Sequence, residues 1–134
     1  MKSSVSKLFA FFALVALCLA AFPAPALAKP VIKYSVEHVY MHEAGEVEVV
    51  GSLHNDGDRG AYAKWIKIDL TLIADNGQQM WADSDIVHET GDIYLDPGDA
   101  IEYTFYIQNP DIPEYHGKYR WRYHTSTHWE TAAG

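Results

Sequence analysis

Residues 66–72 read IKIDLTL, and this stretch decides the fold. Its apolar residues occupy every second position, and polar residues fill the positions between them. In an extended chain, side chains point alternately to opposite faces, so all the apolar groups here share one face. Alternation of this kind predicts a β-strand that buries one side, and no segment beyond residue 28 shows the 3.6-residue period of an amphipathic helix.

Further alternating segments flank this strand on both sides and are separated by turn residues. They lie at residues 32–40, 47–53, 80–86, 101–107 and 115–124. DNG at residues 75–77 predicts a type I′ hairpin, and DPGD at residues 96–99 has the Pro and Gly positions of a type II turn. The chain is therefore predicted to be all-β, an immunoglobulin-like antiparallel β-sandwich of about seven strands.

Several positions around the central strand form a second pattern. They are the alternating residues 66–72 together with Gly51, Asn55, Gly57, Asp58, Ala63, Asp75, Gly77, Leu95, Pro97, Gly98 and Phe105. This set, which extends from Val50 to Ile107, resembles the FxLYD-type domains of secreted and surface bacterial proteins. LTLIA at residues 70–74 stands where that family has Phe-x-Leu-Tyr-Asp, and the aspartate comes one residue later, at Asp75. The resemblance implies an immunoglobulin-like sandwich without an established catalytic role.

Residues 1–28 have the layout of a secretory signal peptide. Two lysines precede an apolar run at residues 8–22, and Ala-Leu-Ala at residues 26–28 forms a small-x-small cleavage site. The run is too short for a comfortable transmembrane span, so we expect cleavage after Ala28 and no membrane insertion afterwards. Residues 29–134 then form a single secreted or periplasmic β-sandwich domain. Lipidation at Cys18 is the alternative, although Leu17 is larger than the residue that precedes a lipidated cysteine.

The chain is acidic, with 10 Lys and Arg against 18 Asp and Glu and a net charge of −8. Removing residues 1–28 takes away two lysines and the single cysteine, which leaves a more acidic domain without disulfides or thiol chemistry. Duplex DNA and anionic lipid both require a basic footprint on the protein that binds them. We therefore expect no nucleic-acid partner.

No motif for catalysis or for a cofactor stands out, and we expect a protein that is not an enzyme and uses no cofactor. Ser84, His88 and Asp92 have the residue types of a catalytic triad and follow one another at intervals of four residues. A triad, however, is defined by convergence in space and by oxyanion donors. Paired aspartates such as Asp56 and Asp58 suit tight turns, because their side chains bond to nearby backbone amides. None of these pairs continues into a calcium-binding loop.

Seven histidines raise a metal site as a weaker hypothesis. His38 and His42 are four residues apart, as are His124 and His128. In a strand that spacing separates the two side chains by about 13 Å, whereas two ligands of one zinc ion each lie about 2.1 Å from it. Solvated histidines on polar faces are the simpler interpretation.

The last predicted strand carries the most informative surface. Its cationic or protonatable residues, which we call the basic stripe, are Lys118, Arg120, Arg122 and His124, and the residues between them are Tyr119, Trp121 and Tyr123. Alternation places the two sets on opposite faces of the strand. The simplest interpretation buries the aromatic rings in the core and pairs the stripe with carboxylates such as Glu102 across the sheet.

These features favour an exported, non-catalytic module for protein interaction or structural support at the cell envelope. Its partner is an unknown protein or glycan at the cell surface, and the basic stripe is the candidate surface. A carbohydrate-binding module is the alternative, in which an exposed aromatic platform is supplied by Trp65, Trp81, Trp121 and Trp129. A histidine-based metal-binding protein is the third hypothesis.

Overall fold

A computed structural model of the chain describes residues 28–131. The expected signal peptide, residues 1–28, therefore lies outside the described residues except for Ala28. Six strands make up most of the described part. They are β1 (Ile32–Met41), β2 (Glu46–Asn55), β3 (Ala61–Ala74), β4 (Gln79–Leu95), β5 (Ala100–Gln108) and β6 (Tyr119–Thr131).

The strands form two antiparallel sheets of three strands each, so the predicted all-β sandwich is confirmed, with six strands where about seven were predicted. In the first sheet β2 lies between β1 and β5, and in the second sheet β3 lies between β4 and β6. Residues 28–131 contain no helix, and hence none that is long and apolar enough to cross a membrane.

The core lies between the two sheets and is centred on β3. The alternating apolar residues of this strand are at most 1% exposed, as the sequence predicts: Ile66, Ile68, Leu70 and Leu72. The facing residues of the first sheet are at most 2% exposed and include Val47, Val49, Leu53 and Phe105. Burying a side chain of this size stabilises a fold by about 1.5–3 kcal/mol, so this layer dominates the hydrophobic stabilisation.

β4 continues through residues 87–95, where the sequence shows no regular alternation. Two of the three irregularities in its pairing with β3 explain the broken pattern. Asp85 lies at the first with a φ of 59°, and Gly91 and Asp92 lie at the second with φ values of 77° and 58°. Such bulges insert extra residues into one strand and reverse its in-and-out alternation, so periodicity does not reveal this half of β4.

The two turn predictions have different outcomes. At residues 96–99, the Asp99 N–H donates to the Asp96 carbonyl (3.0 Å) and Gly98 has a φ of 85°, as a type II turn requires. The hairpin predicted at residues 75–77 is confirmed, because β3 and β4 pair antiparallel on either side of it. Its predicted type I′ turn is wrong, because only Gly77 has a positive φ (87°) and that turn needs two such residues in succession. The Gly77 N–H instead donates to the Ala74 carbonyl (2.9 Å) in a longer loop.

The last strand is displaced along the chain from its predicted bounds. β6 spans Tyr119–Thr131, whereas the sequence predicts residues 115–124. It pairs with β3 along nearly the whole of that strand, from Ala61 to Ala74, and its length therefore follows that of its partner. Residues 115–118 belong to the connection from β5.

The two sheets approach each other along the edges of β1 and β6. The Thr125 hydroxyl donates to the Tyr34 carbonyl (2.9 Å), and the Thr127 hydroxyl donates to the Ile32 carbonyl. These bonds join the second half of β6 to β1 through side chains and not through a backbone ladder. Within the described range, no hydrogen bond joins β1 to residues 119–124.

A buried amide fastens one end of the sandwich. Asn55 is 1% exposed, and its Oδ1 accepts from the backbone N–H groups of Val31 (3.2 Å) and Gly57 (2.9 Å). Its Nδ2 donates to the carbonyls of Arg59 (2.8 Å) and Leu95 (3.1 Å). The side chain thereby uses its full hydrogen-bonding capacity to join the start of β1, the β2–β3 loop and the end of β4.

Replacing this amide should destabilise the whole domain. We expect Asn55→Ala to lower the free energy of unfolding by about 3 kcal/mol or more, because four backbone groups lose their partner at about 1–3 kcal/mol for each one left buried. Asn76→Ala is the matched control, since the Asn76 side chain accepts only from the exposed Gln78 N–H (2.9 Å) and its loss should cost less than about 1 kcal/mol. Urea unfolding measures both variants, and equal destabilisation would show that Asn55 has no special role.

Candidate interaction surface

The basic stripe lies on the outer face of the second sheet. Arg120, Arg122 and His124 alternate along β6 and are exposed, and Lys118 is exposed just before the strand begins. The β3 residues directly opposite the three strand members are Ile73, Thr71 and Asp69. Alternate side chains on one strand are about 6.7 Å apart, so the stripe is a regularly spaced row.

No member of the basic stripe forms an ion pair within residues 28–131. Asp69, which lies opposite His124, accepts instead from the Asp85 backbone N–H (2.7 Å). The suggested pairing with Glu102 is wrong, because Glu102 lies on β5 in the other sheet. The positive charge of the stripe is therefore not neutralised by a contacting carboxylate of the described chain.

A groove of about 500 Å³ opens beside the first residues of the stripe. It is lined by Ala74, Asp75, Gly117, Lys118, Tyr119 and Arg120, which come from the end of β3 and the start of β6. Two cations of the stripe therefore line a concave surface. A ligand in such a groove is contacted from more than one side.

The aromatic residues of β6 face the first sheet, but that sheet does not enclose them all. Tyr119 and Tyr123 are 37% and 45% exposed, and Trp121 is half-buried. The prediction of enclosed rings is wrong for both tyrosines and holds only in part for Trp121, because the facing sheet does not cover the first half of β6. Trp121 packs edge-on against Trp81 and Tyr119, with ring centroids 6.4 and 6.2 Å away. Its Nε1 is enclosed there without a hydrogen-bond acceptor among the described residues.

The four tryptophans do not form a common platform. Trp65 lies on the outer face and stacks on His128 with ring planes 20° apart. Trp81, Trp121 and Trp129 pack against the core from the inner side, and the first two rings meet at 81°. A sugar stacks on a flat, accessible aromatic face. The arrangement of these rings therefore does not favour the carbohydrate-binding alternative.

The histidines are dispersed over the molecule. Within residues 28–131, no three His, Cys, Asp or Glu side chains are close enough together to hold a metal ion. His42 follows β1 and bonds to Glu48 of β2, in the first sheet. His124 and His128 both lie in β6, in the second sheet. The strand interpretation of the second histidine pair is thus confirmed.

The triad-like set does not converge. Asp92 pairs with Lys64 (2.8 Å), while the Ser84 backbone N–H bonds to its neighbour Asp83 (2.9 Å). His88 instead contacts Tyr103 of the other sheet. No shared site for acyl transfer follows from these three residues.

His88 joins the two sheets along their other pair of edges, β4 and β5. Its Nε2 lies 2.7 Å from the Tyr103 hydroxyl, and its ring stacks on Phe105 with centroids 4.6 Å apart. The Tyr34 hydroxyl donates to the Tyr103 carbonyl (2.7 Å) and extends this contact across the first sheet to β1. Partial burial lowers the pKa of His88, and burial raises the pKa of Tyr103.

Comparison with known proteins leaves the family open. No protein-family model matches the chain, and no curated protein matches it, so the resemblance to FxLYD-type domains stays a prediction. The fold is similar to that of Spo0M, a sporulation control protein from Bacillus subtilis, with 14% identity and a TM-score of 0.44 over 78% of this chain and 44% of that one. It is also similar to β-glucosidase 3B from Thermotoga neapolitana in complex with glucose, with 17% identity and a TM-score of 0.42 over 79% and 17% of the two chains. The chain spans less than half the length of either protein, and neither similarity assigns a function.

The lowered pKa of His88 predicts that the folded protein loses stability at mildly acid pH. Burial favours the neutral ring in the folded state, so its contribution is complete above the ordinary imidazole pKa of 6.5 and is lost as the pH falls through the lowered pKa of the folded protein. We expect His88→Gln to flatten the fall in unfolding free energy below pH 6.5. Urea unfolding between about pH 5 and pH 8 measures this slope. His38→Gln, which removes an exposed histidine, is the control, and equal flattening in both variants would refute the assignment to His88.

Proposed function

We propose that the chain is an exported, non-catalytic β-sandwich module that binds an acidic protein partner at the cell envelope through the basic stripe. The observation that carries this proposal is the row of unpaired cationic side chains on the outer face of the second sheet, in a protein with a net charge of −8. A positive row on an otherwise acidic molecule attracts and orients an acidic partner, while like charges elsewhere repel it.

The chemistry of the stripe suits carboxylates. Arg120 and Arg122 carry planar guanidinium groups, whose paired N–H donors match the two oxygens of a carboxylate. A single exposed ion pair contributes only about 0.2–1 kcal/mol. Binding of useful strength therefore requires several members of the stripe to act together, with the groove beside Lys118 and Arg120 adding contact area.

One observation keeps a carbohydrate-binding function as the second candidate. Tyr119 lines the groove together with Lys118 and Arg120, and Tyr115 packs edge-on against Tyr119 with ring centroids 6.2 Å apart. An anionic sugar can use such cations together with one exposed ring face. This candidate requires binding of an acidic oligosaccharide in preference to an acidic polypeptide.

Reversing the charge in the middle of the stripe tests the proposal. We expect Arg122→Glu to weaken binding of poly-L-glutamate at low ionic strength by about tenfold or more, because charged side chains at an interface control the association rate and its salt dependence. The fold should be unaffected, since Arg122 is exposed. Arg59→Glu makes the same charge change on an exposed loop residue at the other end of the sandwich and should bind like the wild type. Isothermal titration calorimetry measures all three proteins.

Two outcomes of this titration would overturn the proposal. One is equal weakening by Arg122→Glu and Arg59→Glu, which would indicate an effect of net charge alone. The other is the absence of poly-L-glutamate binding by the wild type. Binding of a heparin oligosaccharide in that second case would support the carbohydrate candidate.

A further inference from the structure

The outer backbone edge of β6 is open along the first half of the strand. β6 pairs with β3 on one side from Tyr119 to Thr131. On the other side, β6 has no strand partner among residues 28–131, and in its second half the hydroxyls of Thr125 and Thr127 bond to carbonyls of β1. Among residues 28–131, no hydrogen bond occupies this second side from Tyr119 to Tyr123, a segment that we call the open edge.

Side-chain exposure and the shape of β1 agree with an uncovered edge. Tyr119 and Tyr123 keep 37% and 45% of their surface exposed although they face the first sheet. β1 carries a bulge at Glu37, just beyond its last bond to β6, and bulges bend the strand that contains them. Every second residue of the open edge therefore presents an unpaired N–H and C=O, which is the template for an added strand.

We propose that the open edge binds an extended acidic segment of the partner as a fourth strand of the second sheet. This inference rests on the proposed function and specifies its mode of binding. Arg120 and Arg122 are about 6.7 Å apart on one face, the same spacing as alternate side chains of an added strand. A segment with Glu or Asp at every second position places one carboxylate opposite each arginine. Backbone hydrogen bonds then supply affinity, and the basic stripe selects the acidic sequence.

Charge disfavours a second copy of the open edge as the occupant. Antiparallel pairing of two open edges about their Trp121 residues would set Arg120 of one copy directly opposite Arg122 of the other. Like charges in that position destabilise a strand pair. Charged side chains on an exposed strand commonly prevent self-association in this way. Arg120 and Arg122 therefore leave the open edge free for an acidic strand.

Peptides with N-methylated backbones separate an added strand from simple charge attraction. The probe is a capped peptide of alternating Glu and Thr, and two derivatives carry N-methyl groups on every Glu or on every Thr. All three have the same charge. In a strand, the N–H groups of successive residues point to opposite edges, so only one derivative turns its methyl groups towards β6. We expect the wild-type protein to bind that derivative at least about tenfold more weakly than the unmodified peptide and to bind the other derivative within about twofold.

The remaining outcomes distinguish this inference from the proposed function. Equal affinity for the three peptides would overturn the added strand and leave the charge-based function standing. Equal loss with both derivatives would also overturn it, because an added strand uses only one of its edges. Absence of binding to the unmodified peptide would overturn the added strand alone if poly-L-glutamate still binds, and would overturn both proposals if it does not.

Discussion

The buried amide of Asn55 is the constraint on which the rest of the sandwich depends. Four backbone groups converge on it at one end of the molecule, from Val31 just before β1, from the β2–β3 loop and from the end of β4. Gly57 is required in that loop, because a Cβ there would lie 2.3 Å from the Lys29 carbonyl oxygen. β6 ends near this anchor, where Thr131 pairs with Ala61, and begins at the opposite end. The first half of β6 therefore lies far from the anchor, where the facing sheet no longer covers it.

The sequence predicted those parts of the fold that local periodicity specifies. Residues 66–72 alternate strictly, and burial of one face fixes both the strand and its register. Residues 87–95 could not be interpreted in this way, because bulges at Asp85 and Gly91 interrupt the alternation. His88 lies between these bulges, and its contact with Tyr103 joins strands of different sheets. Periodicity within one strand carries no information about such contacts.

The candidate surface was predicted as a face, but its surroundings were not. Alternation placed the basic stripe and the aromatic residues on opposite sides of β6, and the structure keeps that arrangement. Whether a carboxylate neutralises the stripe depends on strand order, and Glu102 lies in the other sheet. Whether Tyr119 and Tyr123 are enclosed depends on how far the facing sheet extends. The free charge of the arginines and the unpaired backbone beside them both belong to this uncovered half of β6. The proposed partner therefore has to supply carboxylates for the arginines and backbone groups for the open edge in one segment.

Amide hydrogen exchange, followed residue by residue by NMR, tests most directly whether the first half of β6 is uncovered. β3 has a hydrogen-bonded strand on each side, so its consecutive amides at residues 66–72 should all exchange slowly. An open edge predicts a different pattern from Tyr119 to Tyr123: amides bonded to β3 exchange slowly, and the amides between them exchange as fast as those of the exposed connection before β6. Slow exchange at every amide from Tyr119 to Tyr123 would contradict an open edge and would show that this backbone is already paired.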